Sequence, residues 1–179
     1  MAALDWAVLG WIRSRLQCGF LDFLMPRLTL LGNAGALWIF IALVLLCIKR
    51  HRRTGLMLLA GLAMGVLIGN LLLKPLAARP RPCWIDQAAP LLIACPTDFS
   101  FPSGHTLSSF IAAVILCGAH RSWGWGAFPL AAGIAFSRLY LYVHFPSDVL
   151  AGIVLGIAIG LLVRRVSRFL PAASRAEVR

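Results

Sequence analysis

The sequence predicts an all-α fold, a polytopic integral-membrane bundle of about five transmembrane helices preceded by amphipathic, interfacial helices. Three observations carry this. Hydrophobic residues make up 60% of the 179 residues and charged ones 13%, with a mean hydropathy of +0.86, more apolar surface than a soluble domain can hide. The charges are gathered in short runs between apolar segments. Two of those segments carry glycine at every fourth position, at Gly61, Gly65 and Gly69 and again at Gly152, Gly156 and Gly160. Ridges of this kind let helices approach closely in lipid.

Taken in order, Leu4 to Cys18 places Leu4, Val8, Trp11, Ile12 and Leu16 at helical spacing, with Asp5, Arg13, Ser14 and Gln17 mostly on the other side. With Trp6 and Trp11 this suggests an amphipathic helix lying in the interface. Phe20 to Leu31 is a short apolar piece marked by Asp22, Pro26 and Arg27. It reads as interfacial, as re-entrant, or as half of a span. A first span is expected from Ala34 to Ile48, ending in the basic run 49–53, and a second from Gly55 to about Leu76. A polar, proline-rich loop covers 77–102. A third span starts near Ser103 and ends before His120, a fourth runs from Trp123 to about Tyr142, and a fifth from Val149 to Val163. The expected division is 1–33 for the N-terminal helices or partial span, 34–170 for the transmembrane domain and 171–179 for a cytoplasmic tail.

The chain carries 17 Lys and Arg against 6 Asp and Glu, a formal net charge of +11. In a soluble protein that would suggest nucleic acid. Here the positives flank apolar segments, so they read as topology signals and anion ligands, with the bilayer rather than a nucleic acid as partner. Lys49, Arg50, Arg52, Arg53, Arg121, Arg164, Arg165, Arg168, Arg175 and Arg179 share one side, which is then cytoplasmic along with the C-terminus. Lys74, Arg79, Arg81 and Arg138 fall on the other side against the rule and need another reason to be there. With five spans the N-terminus lies outside; a sixth span through 1–31 would bring it inside. Cys18, Cys47 and Cys117 read as reduced core or interface thiols, whereas Cys83 and Cys95 share the outer loop. An oxidising compartment would allow a disulfide between these two, and spacing alone leaves them bridged or free.

Three clusters on the outer side hold groups that do chemistry. Lys74 closes the second span, with Arg81-Pro82 beyond it; Phe101-Pro102-Ser103-Gly104-His105 opens the third; Arg138, His144 and Asp148 lie between the fourth and fifth. His144 and Asp148 are four residues apart, so one turn can bring the carboxylate to a ring nitrogen and leave the other nitrogen to attack or to accept a proton. Each cluster alone has a plainer reading, as a helix cap, a snorkelling cation or a charged turn. Their occurrence together on one membrane face is what those readings leave unexplained.

Together the three segments resemble the signature of the type 2 phosphatidic acid phosphatase family, which also includes vanadium haloperoxidases. Lys74 stands seven residues before Arg81-Pro82, Pro102 to His105 reads Pro-Ser-Gly-His, and Ser137-Arg138 is followed by His144 and Asp148 at the family spacing. The resemblance implies His144 as a nucleophile that forms a phosphohistidine, His105 as general acid and base, and Asp148 as the group that orients His144. It implies Lys74, Arg81, Ser103, Gly104 and Arg138 as phosphate ligands. Cations and a helix N-terminus then meet the phosphate charge, with no metal and no cofactor. The six acidic residues hold no cluster with metal-ligand spacing. The implied substrate is a lipid phosphate or diphosphate, handled at the outer face of an inner or plasma membrane. Small chains of this pattern resemble bacterial undecaprenyl-diphosphate phosphatases. Phosphatidylglycerophosphate and phosphatidic acid are the alternative substrates, and a lipid-phosphate transporter is the non-enzymatic alternative. Arg79 lies beside the cluster and outside the signature. The oligomeric state is not written in the sequence.

Overall fold

A short, almost entirely enclosed helix sits at the centre of the molecule. The computed structural model describes residues 2–169 and is built from helices. In chain order they are α1 (Ala2–Leu16), α2 (Gly19–Leu31), α3 (Ala36–Cys47), α4 (Arg52–Gly65), α5 (Lys74–Ala77), α6 (Pro82–Ile85), α7 (Gly104–Ala119), α8 (Arg121–Tyr140) and α9 (Pro146–Phe169). A π-helical stretch, Val66–Leu73, joins α4 to α5. The expected cytoplasmic tail 171–179, with Arg175 and Arg179, lies outside the described residues.

The central helix is α7. Every side chain from Ile111 to Leu116 is buried, and α7 packs against α8, α9 and α4. The two glycine ridges make this possible. A Cβ at Gly61 would stand 2.7 Å from Ile111 Cγ2, and one at Gly156 would stand 2.8 Å from the Leu107 carbonyl oxygen. Both α4 and α9 therefore lay a side-chain-free strip on α7. The opposite face of α9 carries Leu150 and Val154, both exposed, where lipid would lie. Gly156→Ala is expected to lower the thermal unfolding temperature in detergent, through about 1–3 kcal/mol of overpacking. An unchanged midpoint would mean that the ridge is not a tight contact.

By length and composition, the stretch Lys49–Ile85 and α9 can each cross a membrane. The pair α2 and Asn33–Cys47 passes the same test together, bent by 45°. The expectation of about five spans is met by this measure at those places alone among the described residues. α7, at 16 residues, is shorter than a span needs. Its walls are protein rather than lipid, so its length does not have to match the bilayer.

The bend between α2 and α3 is made by a single turn at Asn33–Gly35, where Ala34 and Gly35 take φ of 50° and 69°. Glycine suits the left-handed conformation, and so the chain turns there.

The inward face of α1 carries a charge. Its buried residues are Asp5, Leu9 and Ile12, while Leu4 and Trp11 are exposed. Leu9 packs with Tyr142 and Phe145, and Trp6 meets the Phe145 ring edge-on at 5.0 Å. Of the apolar stripe read from the sequence, Ile12 is buried with Val8 and Leu16 packed beside it, while Leu4 and Trp11 face outward. In a lipid-bathed protein the polar group needs the protein interior and the apolar one does not.

The loop 86–103 runs back over the same end of the bundle. Cys83 and Cys95 are joined in a disulfide, with Cα atoms 6.1 Å apart. The Trp84 indole N–H donates to the Pro96 carbonyl at 2.9 Å. Together they tie α6, and Arg81 just before it, to the segment that leads into α7.

Candidate active site

Six of the eight residues implied as catalytic or phosphate-binding line one cavity of about 800 Å³: Lys74, Arg81, Gly104, His105, Arg138 and His144. Each arrives for a local reason. The π-helical stretch ends at Lys74 and carries Asn70, another lining residue, one turn before it. π-Helical windings recur at functional sites because they redirect side chains. Arg81 is in extended conformation immediately before Pro82, which opens α6. Arg138 lies in the last turn of α8, and its carbonyl accepts the Val143 N–H, closing the turn that presents His144. Pro146 then starts α9, with Asp148 in its first turn.

His144 is fully buried, and its two ring nitrogens face different partners. Nε2 lies 3.0 Å from Arg81 Nη1. A guanidinium can only donate, so Nε2 must be the acceptor and carry the lone pair. Nδ1 then carries the proton and faces the Asp148 carboxylate at 3.6 Å and the Ser100 hydroxyl at 3.4 Å. Burial first of all pushes the His144 pKa down, to about 3. The Asp148 carboxylate pulls the other way, and the charges of Arg81 and Arg138 add to the push. At neutral pH the ring is therefore uncharged, with its Nε2 lone pair turned to the Arg81 guanidinium.

Asp148 is wholly buried and accepts from every side. Its Oδ2 takes the Ser100 hydroxyl at 2.5 Å and the Phe145 backbone N–H at 2.8 Å; its Oδ1 takes Arg79 Nη1 at 2.6 Å. The Phe145 contact is half of a capping box, so the residue that faces His144 also fixes the start of α9.

The cations are held by partners far away in sequence. Arg81 donates to the carbonyls of Asp98 and Val143, each at 2.6 Å, and to Asp98 Oδ1 at 2.7 Å. Lys74 is ion-paired with the other oxygen of the same carboxylate. Asp98 is half exposed at the cavity mouth. Burial works against its charge, but the Lys74 hydrogen bond and the Arg81 and Lys74 charges hold its carboxyl down at about 2. Arg138 Nη1 donates to the Thr29 hydroxyl at 2.6 Å. Its Nε is buried and has no partner among the described residues, an unfilled donor on a wall of the cavity.

His105 stands one residue inside α7, and its Nε2 lies 2.8 Å from Asn33 Oδ1. The bend between α2 and α3 is what brings Asn33 there. A Cβ on Gly32 would meet the His105 ring at 2.7 Å, so the bend also has to be bare. Ser103 departs from its expected place as a phosphate ligand. Its hydroxyl accepts from Thr106 at 3.0 Å and its N–H donates to the Asp148 carbonyl at 3.2 Å. It is fully buried and lies off the cavity, locking the start of α7 to the start of α9. Asp148 likewise sits behind the cavity wall, against His144.

Sequence reasoning missed Asn33, Thr29, Asp98, Ser100 and Asp5. Asp98 and Ser100 lie in the loop leading directly into Pro102–His105, and that proximity was a usable signal. Asn33 is a polar residue beside a glycine at a break in apolar sequence, which was another. Nothing in the sequence pairs Thr29 with Arg138, or Asp5 with Ser147, more than a hundred positions later.

The PAP2 superfamily model matches residues 54–171 of the chain. The chain is 35% identical over 147 residues to an undecaprenyl-diphosphatase of Sulfolobus acidocaldarius, a match covering 82% of this chain and 70% of that one. It is 34% identical over 131 residues to a decaprenylphosphoryl-5-phosphoribose phosphatase of Mycobacterium tuberculosis, covering 72% of this chain and 71% of the relative. Its fold superposes on the crystal structure of a transmembrane PAP2-type phosphatidylglycerolphosphate phosphatase from Bacillus subtilis with a TM-score of 0.77. That alignment covers 98% of this chain and 89% of the other, at 25% identity. The family-model match takes in about two thirds of the sequence and all three signature segments, and the chain belongs to the PAP2 superfamily.

Proposed function

We propose that the protein is a membrane lipid phosphatase that hydrolyses a polyprenyl diphosphate, with undecaprenyl diphosphate the first choice, through a phosphohistidine on His144. The single observation that carries this reading is the His144 ring, fully buried with Nε2 acceptor-side out among Arg81 and the other cavity cations. A phosphoryl group lodged among Lys74, Arg81 and Arg138 would meet fixed positive charge on its oxygens, including the unpartnered Arg138 Nε. His144 Nε2 attacks the terminal phosphorus, and the bond to the bridging oxygen breaks. The leaving lipid phosphate takes a proton from His105 where it needs one. His105 then takes a proton from water as the water oxygen attacks phosphorus, releasing inorganic phosphate and freeing Nε2. Asn33 would hold the His105 ring through this exchange. The cations supply the charge that a metal would otherwise supply, so turnover is expected to persist in EDTA.

The names of the two relatives favour a polyprenyl substrate. Phosphatidylglycerophosphate is the second reading, favoured by the structural neighbour that spans almost the whole chain. On the Lys and Arg asymmetry, the active site faces the extracytoplasmic side of the inner or plasma membrane and the C-terminus is cytoplasmic. Purified protein in EDTA, offered undecaprenyl diphosphate, phosphatidylglycerophosphate and phosphatidic acid, should release phosphate fastest from the first. Binding of these lipids without phosphate release would instead favour a transporter.

Asp98 should compete with phosphate for Lys74 and Arg81. Asp98→Asn is expected to strengthen inhibition by inorganic phosphate about tenfold, the equivalent of roughly 1.4 kcal/mol. Inhibition equal to that of the parent would remove Asp98 from this role.

A further inference from the structure

Behind the His144–Asp148 pair lie two charged groups that occupy no signature position and are not among the residues lining the cavity, Arg79 and Asp5. Arg79 Nη1 donates to Asp148 Oδ1 at 2.6 Å and to the Ser147 hydroxyl oxygen at 2.7 Å. Its Nη2 donates to Asp5 Oδ2 at 2.7 Å. Asp5 also accepts the Ser147 backbone N–H at 2.9 Å and the Ser147 hydroxyl at 2.6 Å. The Asp5 side chain is 5% exposed and that of Asp148 is 0% exposed. The Phe145 ring covers the guanidinium at 4.3 Å, and Trp6 of α1 braces that ring.

A carboxylate this deeply buried needs a full positive charge beside it or it takes up a proton. The neutral His144 ring, the Ser100 hydroxyl and the Phe145 N–H offer only dipoles. Arg79 is the cation in direct contact. A guanidinium held at one end can still swing, and Asp5 engages the other end, so the fork is fixed in plane. We propose that Arg79 and Asp5 are positioning residues for hydrolysis: Arg79 keeps Asp148 anionic and aimed at His144 Nδ1, and Asp5, from the N-terminal helix, holds Arg79 in place. On this inference α1 completes the catalytic apparatus without touching substrate. The inference rests on the reading of His144 as nucleophile.

The test uses the full chain with Arg79→Gln, Arg79→Lys, Asp5→Asn and the double variant Asp5→Asn/Arg79→Gln. For each, kcat, KM and inhibition by inorganic phosphate are measured. Arg79→Gln is expected to lower kcat about 100-fold, within the range lost when the partner of a functional ligand is removed. KM and phosphate inhibition should stay at parent values, because Lys74, Arg81 and Arg138 are untouched. Arg79→Lys should recover about tenfold of that loss, since charge returns without the fork. Asp5→Asn should lower kcat about tenfold alone and add little to Arg79→Gln, because both act through one carboxylate. Parent kcat in Asp5→Asn would overturn the proposal. So would a rise in KM and weaker phosphate inhibition in Arg79→Lys, which would make Arg79 a phosphate ligand. If Arg79→Gln fails to fold, Asp5→Asn and Arg79→Lys decide by the same criteria. A phosphoenzyme that persists in His144→Ala would sink the underlying reading. Loss of the phosphoenzyme in His144→Ala, with parent kcat in Asp5→Asn, would sink only this inference.

Discussion

His144→Ala is expected to abolish phosphate release, by about 10⁶-fold in kcat, and to abolish any acid-labile phosphoenzyme with it. The magnitude is that seen when a covalent nucleophile is deleted from a hydrolase. No neighbour can stand in for it. Among the other lining groups, Lys74 and Arg81 are cations paired with Asp98, and Arg138 is a cation as well. The remaining ring, His105, is held at Nε2 by Asn33. The cation set survives the substitution, so inorganic phosphate should still bind. Initial rates with undecaprenyl diphosphate, alongside an equilibrium phosphate-binding measurement, separate loss of chemistry from loss of the site. Activity within tenfold of the parent would move the nucleophile elsewhere.

Asp148→Asn should come next in size, lowering kcat about 10⁴-fold with phosphate binding kept, by analogy with the loss of an orienting carboxylate in other triads. The structure gives a local reason. The groups that face this carboxylate are the Ser100 hydroxyl, the Phe145 N–H, Arg79 and the protonated Nδ1 of His144, and all of them donate. An amide has one accepting oxygen and one NH2, so whichever way the substituted side chain is turned, N–H meets N–H or O–H on one side. With the NH2 on the Oδ2 side, His144 loses the acceptor that holds its proton on Nδ1; with it on the Oδ1 side, the NH2 meets Arg79 and His144 faces a neutral amide in place of a carboxylate. In either orientation one buried donor is left facing an NH2, the Phe145 cap on one side or Arg79 on the other, so a lower unfolding temperature should accompany the loss of rate. A kcat within tenfold of the parent would mean that Asp148 serves only the start of α9.

The residues proposed to carry the chemistry could be named from the sequence because the signature is local. Arg138, His144 and Asp148 lie within one turn and two helix ends, and Ser103 to His105 within one helix start. What holds these residues was not legible. Asp98 neutralises Lys74 across 24 positions, Asn33 reaches His105 across 72, and Asp5 reaches Arg79 across 74. A single sequence gives no periodicity for such pairs. On α1 the periodicity set Asp5 apart from the apolar stripe but held no sign that Asp5 turns inward to Arg79 while Leu4 turns out. The glycine ridges, by contrast, were read correctly as packing surfaces. Their meaning depends only on the absence of a side chain, and α7 lies against both. Ser103 fell with its motif but not with its role. Its neighbour Gly104 lines the cavity, while Ser103 itself joins the two helix starts.

The most direct measurement is the site of the trapped phosphate. Purified protein is mixed with undecaprenyl diphosphate labelled in its terminal phosphate and quenched in alkali, where phosphohistidine survives. The peptides are then mapped by mass spectrometry. The expected result is label on His144 alone, absent from His144→Ala and retained by His105→Ala. Label on His105, or turnover in His144→Ala protein with no labelled histidine, would contradict the assignment of nucleophile and acid.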